Sequence, residues 1–170
     1  RRPSPRASGS ARSDDRSPGD DPLLIWRAAE RLGLVLSCAC SAPVVASPAF
    51  ADLVAALPNL TIVLEHLAGQ RGTAGGRSPE TTDEAQLTAT LALARFSNVY
   101  VKVPGLGEFC RRAIPVTAPF PFVRPIPTLL PRFVDAFGSS RLMWGSDFPP
   151  VSTREGYGLA LSLPMAEFAD

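Results

Sequence analysis

From Asp21 onward the apolar positions follow two alternating patterns. In one they recur every three or four residues; in the other they run without interruption for about four to seven residues. Asp21 and Pro22 predict a helix start, as N-cap and first helical residue. Leu24, Ile25, Ala28, Ala29 and Leu32 then share one face, and Gly33 ends the helix. Leu34–Cys38 is a continuous apolar run, predicting a strand buried on both faces. Ser41–Pro48 reads as a loop, and Pro48–Leu57 as a helix carrying Phe50, Leu53, Val54 and Leu57, broken by Pro58-Asn59. Leu60–His66 is a second strand ending in Glu65-His66, followed by a Gly- and Arg-rich loop over Gly69–Ser78. Pro79–Phe96 is the longest helical pattern, with acids near its start. Asn98–Val103 is a third strand. Phe109–Pro127 is too rich in proline to be one regular element, and Ile126–Phe137 predicts a helix stopped by Gly138.

The last strand is the most pointed. In Arg141–Pro149 three apolar residues run into Gly145, Ser146 and Asp147, so a buried strand ends on a carboxylate. A final helix follows from about Arg154. Strands alternating with helices predict an α/β protein with a parallel sheet covered by helices and joined by right-handed crossovers. In such folds ligands meet the carboxyl ends of the strands.

Composition narrows this picture. The net charge of +1 gives no drive toward nucleic acid or an anionic membrane. No apolar run is long enough to cross a bilayer. No glycine-rich phosphate motif follows any strand, so no nucleotide is expected. Residues 1–20, rich in Arg, Ser, Pro and Asp, read as a disordered tail, leaving 21–170 as the folded domain. The three cysteines are odd in number and lack a secretory leader before them, which favours free thiols and a cytoplasmic setting. The Cys38-x-Cys40 spacing reads as small strand residues, with a metal-ligand role as the sharper alternative.

His66, the sole histidine, stands at a strand end like Asp147. An imidazole and a carboxylate on neighbouring strand ends can share a divalent metal or activate a water. Lys102, the sole lysine, lies on the third strand, where pointing inward it suits a substrate carboxylate and pointing outward it is a structural lysine. Glu108, Arg111, Arg112 and Arg124 belong to the long excursion over the expected mouth, as solvated loop charges or as a grip on an anionic substrate. Arg154 and Glu155 read as the start of a helix, and Trp144 as core.

Four segments together carry a resemblance. Thr61–Gly69 (TIVLEHLAG) and Arg141–Pro149 (RLMWGSDFP), with Asn98–Leu106 between them and Ile25–Leu34 before, resemble the amidohydrolase-related family often called amidohydrolase 2. That group includes 2-pyrone-4,6-dicarboxylate lactonase and aminocarboxymuconate-semialdehyde decarboxylase. The resemblance implies a TIM-type (β/α)8 barrel, of which this chain holds the C-terminal half. It implies His66 as a metal ligand or substrate contact, and Asp147 as metal ligand or general base. The first-strand His-x-His pair of that family has no counterpart in this sequence. The expected activity is hydrolysis of a lactone- or amide-type bond in a small, carboxylated substrate gripped by Lys102, Arg112 and Arg124, with zinc or a similar divalent metal or with Asp147 alone. A metal-dependent decarboxylase and an inactive barrel fragment serving as an assembly module are the alternatives. A half-barrel leaves two open sheet edges, so self-association is expected.

Overall fold

A computed structural model describes residues 21–70, 83–113 and 119–168. The tail read over residues 1–20, most of the loop after Gly69 and the start of the third predicted helix lie outside them. Four parallel strands form one sheet in the order β1 (Val35–Cys38), β2 (Thr61–Leu64), β3 (Val99–Val103) and β4 (Leu142–Trp144). Their registers pair Ser37 with Val63, Val63 with Tyr100, and Lys102 with Met143. Sequential strands are therefore spatial neighbours throughout, as in one half of a β/α barrel.

The helices are α1 (Leu24–Arg31), α2 (Ala42–Val45), α3 (Pro48–Ala56), α4 (Glu84–Leu91), α5 (Leu129–Phe137) and α6 (Tyr157–Glu167). The Asp21 carboxylate caps a turn, accepting from the Leu23 amide at 2.9 Å, and α1 begins only after it. The segment read as a loop before Pro48 contains the short helix α2. Ser47 caps α3 by accepting from the Phe50 amide at 3.2 Å. The proline-rich excursion folds back on itself: the Ala113 amide donates to Pro121 O and the Val123 amide to Arg111 O, both at 2.8 Å. The final helix begins later than Arg154, because Pro150–Thr153 form a 3-10 turn first.

The core lies between sheet and helices. Ile62, Leu64, Val99 and Val101 are fully buried against Val54, Leu57, Leu87 and Phe133. Asn98 ties the strand ends together, donating to Leu57 O at 3.0 Å and Leu60 O at 2.8 Å. Arg141 fixes the entry to β4 by donating to Phe137 O and Phe96 O, both at 2.8 Å.

The opposite face of the sheet corrects two sequence expectations. Alternate residues of a strand point to opposite faces. On β3 the residues Val99, Val101 and Val103 are buried beneath the helices, while Tyr100 and Lys102 are only partly covered. On β1, expected to be buried on both faces, Val35 is 60% exposed and Ser37 is also exposed. On β4, expected to be buried, Met143 is 37% exposed. In a complete barrel this concave face looks into a packed lumen; here Val63 is covered on it, while Val35, Ser37 and Met143 are exposed. Trp144, read as core, is half-buried: its indole N–H donates to Ala160 O at 3.1 Å and its ring meets Tyr157 edge-on.

Candidate active site

The C-terminal ends of β2 and β4 carry unusual backbone. His66, Leu67 and Ala68 have φ of 53°, 48° and 58°, and Gly69 follows at 78°, so His66–Gly69 is one left-handed turn. L-residues adopt this region only at a cost, so the surrounding structure must hold it. Two features do. Leu67 and Ala68 are buried, and a Cβ on Gly69 would run into the Cys40 carbonyl. Asp147, after β4, also has a positive φ of 54°. Both residues singled out in the sequence therefore leave their strands through a left-handed turn.

These turns bring the two side chains together. His66 Nε2 lies 3.9 Å from Asp147 Oδ1, and His66 Nδ1 lies 3.3 Å from Glu108 Oε1. The imidazole thus stands between two carboxylates. Arg154 closes the arrangement on the far side: its Nη1 hydrogen-bonds Glu108 Oε2 and, at 3.0 Å, Asp147 Oδ2. Behind it Glu155 is buried against Gly105 and Gly107, accepting from the Gly107 amide at 3.2 Å. Glu108, Arg154 and Glu155 were read from sequence as solvated loop charges or the start of a helix. They are instead the walls of this site. Their signal was present only as two charged stretches 46 residues apart, and nothing local tells that these meet.

Lys102 and Glu65 form a second group. Lys102 Nζ donates to Glu65 Oε1 at 2.6 Å, and Ser37 Oγ donates to the same oxygen. Burial works against charge on Glu65, but the Lys102 and Ser37 hydrogen bonds outweigh it and hold its carboxyl below the usual range. Both groups open into one cavity of about 350 Å³, lined by Glu65, His66, Lys102, Pro104, Gly145, Ser146, Asp147 and Phe148.

The two candidate arginines are placed elsewhere. Arg112 donates to Arg154 O at 2.9 Å. Arg124 makes a two-pronged pair with Glu167 at 2.7 Å and stacks over Phe120. Neither lines the cavity. No cysteine belongs to the metal-compatible group among the described residues, and burial pushes the Cys38 thiol up to about 11 and the Cys110 thiol up to about 12.

His66, Glu108 and Asp147 each offer one ligand atom, all within 4.8 Å of one another. One imidazole nitrogen and two carboxylate oxygens match the donor types of an open zinc site, with Arg154 already seated on the same two carboxylates. The Nδ1 contact to Glu108 is also the usual way a carboxylate orients a histidine whose other nitrogen faces a metal or water.

The sequence profile of a family described as "Amidohydrolase" matches residues 9–167. The chain belongs to the amidohydrolase family. It is 36% identical over 110 residues to an L-fucono-1,5-lactonase of Burkholderia ambifaria, covering 65% of this chain and 33% of that protein. Its fold is similar to an amidohydrolase from Burkholderia multivorans solved with bound zinc, with TM-score 0.62 and 23% identity over 82% of this chain and 46% of that one. It is also similar to a putative 2-pyrone-4,6-dicarboxylic acid hydrolase from Pseudomonas putida, with TM-score 0.53 and 25% identity over 81% and 45%. The chain thus spans a third of the curated relative and just under half of the solved ones. Among the described residues there are four strands, against the eight of a TIM-type barrel.

The packing of Glu155 makes one structural prediction. A Cβ at Gly107 would collide with the Glu155 carboxylate. Gly107→Ala is expected to destabilise the amidohydrolase chain by ~1–3 kcal/mol, read as a lower urea midpoint. The same change at Gly138, where a Cβ meets nothing, would act through its positive φ alone.

Proposed function

We propose that this chain carries the water-activating half of a lactone hydrolase acting on a small, neutral lactone. The observation that carries the reading is the gap between His66 Nε2 and Asp147 Oδ1, 3.9 Å wide and open to the cavity. That is too long for a direct hydrogen bond and suits a water held by both. Asp147 takes the proton of this water as it attacks the lactone carbonyl. Glu108 keeps His66 oriented toward it. The proton gained by Asp147 then passes to the ring oxygen as the C–O bond breaks. A divalent metal held by His66, Glu108 and Asp147 would add Lewis-acid polarisation of the carbonyl and a more acidic water.

The neutral substrate follows from the charges. Lys102 is committed to Glu65, and Arg112 and Arg124 lie outside the cavity, so no free cation among the described lining residues awaits a carboxylate. The name of the fucono-lactonase relative supports a sugar lactone. The test is hydrolysis of L-fucono-1,5-lactone and of a carboxylated pyrone lactone by the purified chain, followed by proton release. Faster opening of the sugar lactone is expected. Exclusive opening of the carboxylated lactone would overturn the substrate assignment, and opening of neither would overturn the hydrolase reading for this chain.

We further propose that the chain self-associates in the cytoplasm through its open sheet. Among the described residues β1 and β4 are edge strands, with Val35 and Met143 exposed on the concave face and Leu24, Ile25 and Leu32 exposed on α1. Unpaired strand edges beside apolar surface promote pairing. Size-exclusion chromatography is expected to show a dimer or larger species, and a clean monomer would refute it.

A further inference from the structure

The metal-compatible triad contains a cation of its own. Arg154 Nη1 is bonded at once to Glu108 Oε2 and Asp147 Oδ2, so one oxygen of each carboxylate is already engaged. The remaining oxygens, Glu108 Oε1 and Asp147 Oδ1, are the ones that face His66. A guanidinium stays charged at any ordinary pH, so this positive charge cannot be shed to make room for another. Nor does the side chain have an easy way out. It is only 16% exposed, and its Nε lies 3.6 Å from Glu155 Oε2, whose side chain is wholly buried. Withdrawing Arg154 would leave Glu155 as a buried charge without its cation, which is strongly unfavourable. Arg154 Nε and Nη2 are themselves buried without a hydrogen-bond partner in the structure. Their cationic group is thus held over the triad by its carboxylates and by packing rather than by a full set of hydrogen bonds.

We propose that Arg154 is the resident counter-cation of the His66–Glu108–Asp147 triad and competes with divalent metal for its carboxylates. A dication on those oxygens would sit within a few ångströms of a permanent positive charge. Metal binding at this site therefore requires either that repulsion or the displacement of Arg154 from Glu155. The triad is built to hold metal weakly and to keep Asp147 Oδ1 directed at His66 without one. This inference concerns the occupancy of the site and stands apart from whether the chain hydrolyses a lactone.

The test is zinc binding by the full chain, stripped of metal and titrated calorimetrically, with circular dichroism confirming the fold. Arg154→Gln is expected to bind Zn²⁺ at least tenfold more tightly than wild type, and the gain should vanish in the Arg154→Gln/His66→Ala double variant. Equal affinity in wild type and Arg154→Gln, or a gain that survives loss of His66, would overturn the proposal. If Arg154→Gln does not fold, Arg154→Lys decides. The lysine ammonium ends one bond short of Nη1 and holds the two carboxylates less closely, so a smaller, His66-dependent gain is expected, and no gain overturns the proposal. Elemental analysis of the wild-type chain gives a separate reading: stoichiometric zinc that disappears in His66→Ala would also overturn it.

Discussion

Asp147→Asn is expected to lower kcat for lactone opening by about 10²–10⁴-fold, the range for loss of a positioned general base, while KM changes little. Asparagine keeps the size of the side chain and can still accept from Arg154, so the architecture survives. What it loses is the ability to take a proton from a water lying between residue 147 and His66. The loss falls on the transition state and not on substrate binding, which is why it belongs to kcat. Steady-state rates on the sugar lactone decide it, with Arg132→Gln as the comparison, since Arg132 pairs with Glu84 on α4 far from the cavity. A tenfold or smaller drop for Asp147→Asn would remove Asp147 from the role of base. A His66→Ala variant separates the partners: it leaves the carboxylate in place but removes the second contact to the water.

The largest expected effect on stability is at Phe133. Its ring is fully buried and stacks on Phe137, with centroids 5.9 Å apart and planes 14° from parallel. Of the two phenylalanines that α5 buries, it is the more fully covered. Phe133→Ala is expected to cost ~3–5 kcal/mol, the transfer free energy of the ring plus the cavity it leaves. A whole small domain commonly has only ~5–15 kcal/mol to lose, so this variant should be largely unfolded at ambient temperature, visible as loss of the near-ultraviolet circular dichroism signal. Phe133→Leu, which refills much of the space, should stay folded with a lowered urea midpoint. An unchanged midpoint for Phe133→Ala would mean that α5 does not pack on the sheet as described.

The elements that could be read from the sequence are those whose signal is local. All four strands and most helices announce themselves by period, and Gly33 and Gly138 mark chain turns with positive φ, as their positions suggested. His66 and Asp147 stood out because each follows an apolar run. What stayed hidden depends on distant parts of the chain. Val35 and Met143 have the apolar character of buried residues, and only the folded structure shows them at 60% and 37% exposure. Glu108 and Arg154 are unremarkable charges in their own neighbourhoods and become walls of the site only when β3 and β4 lie side by side. Arg112 and Arg124 illustrate the reverse. A loop arginine near the mouth is a reasonable anion ligand until its carbonyl or carboxylate partner, Arg154 O or Glu167, comes from a segment far along the chain.

The left-handed turn at His66–Gly69 sets how far this sequence can drift. Each non-glycine residue held in that region costs about 1–2 kcal/mol, so His66, Leu67 and Ala68 together tie up several kcal/mol that the core must supply. Little margin is then left for damage elsewhere. Variation should therefore concentrate on exposed positions and spare the residues beneath this turn, above all Leu67 and Gly69.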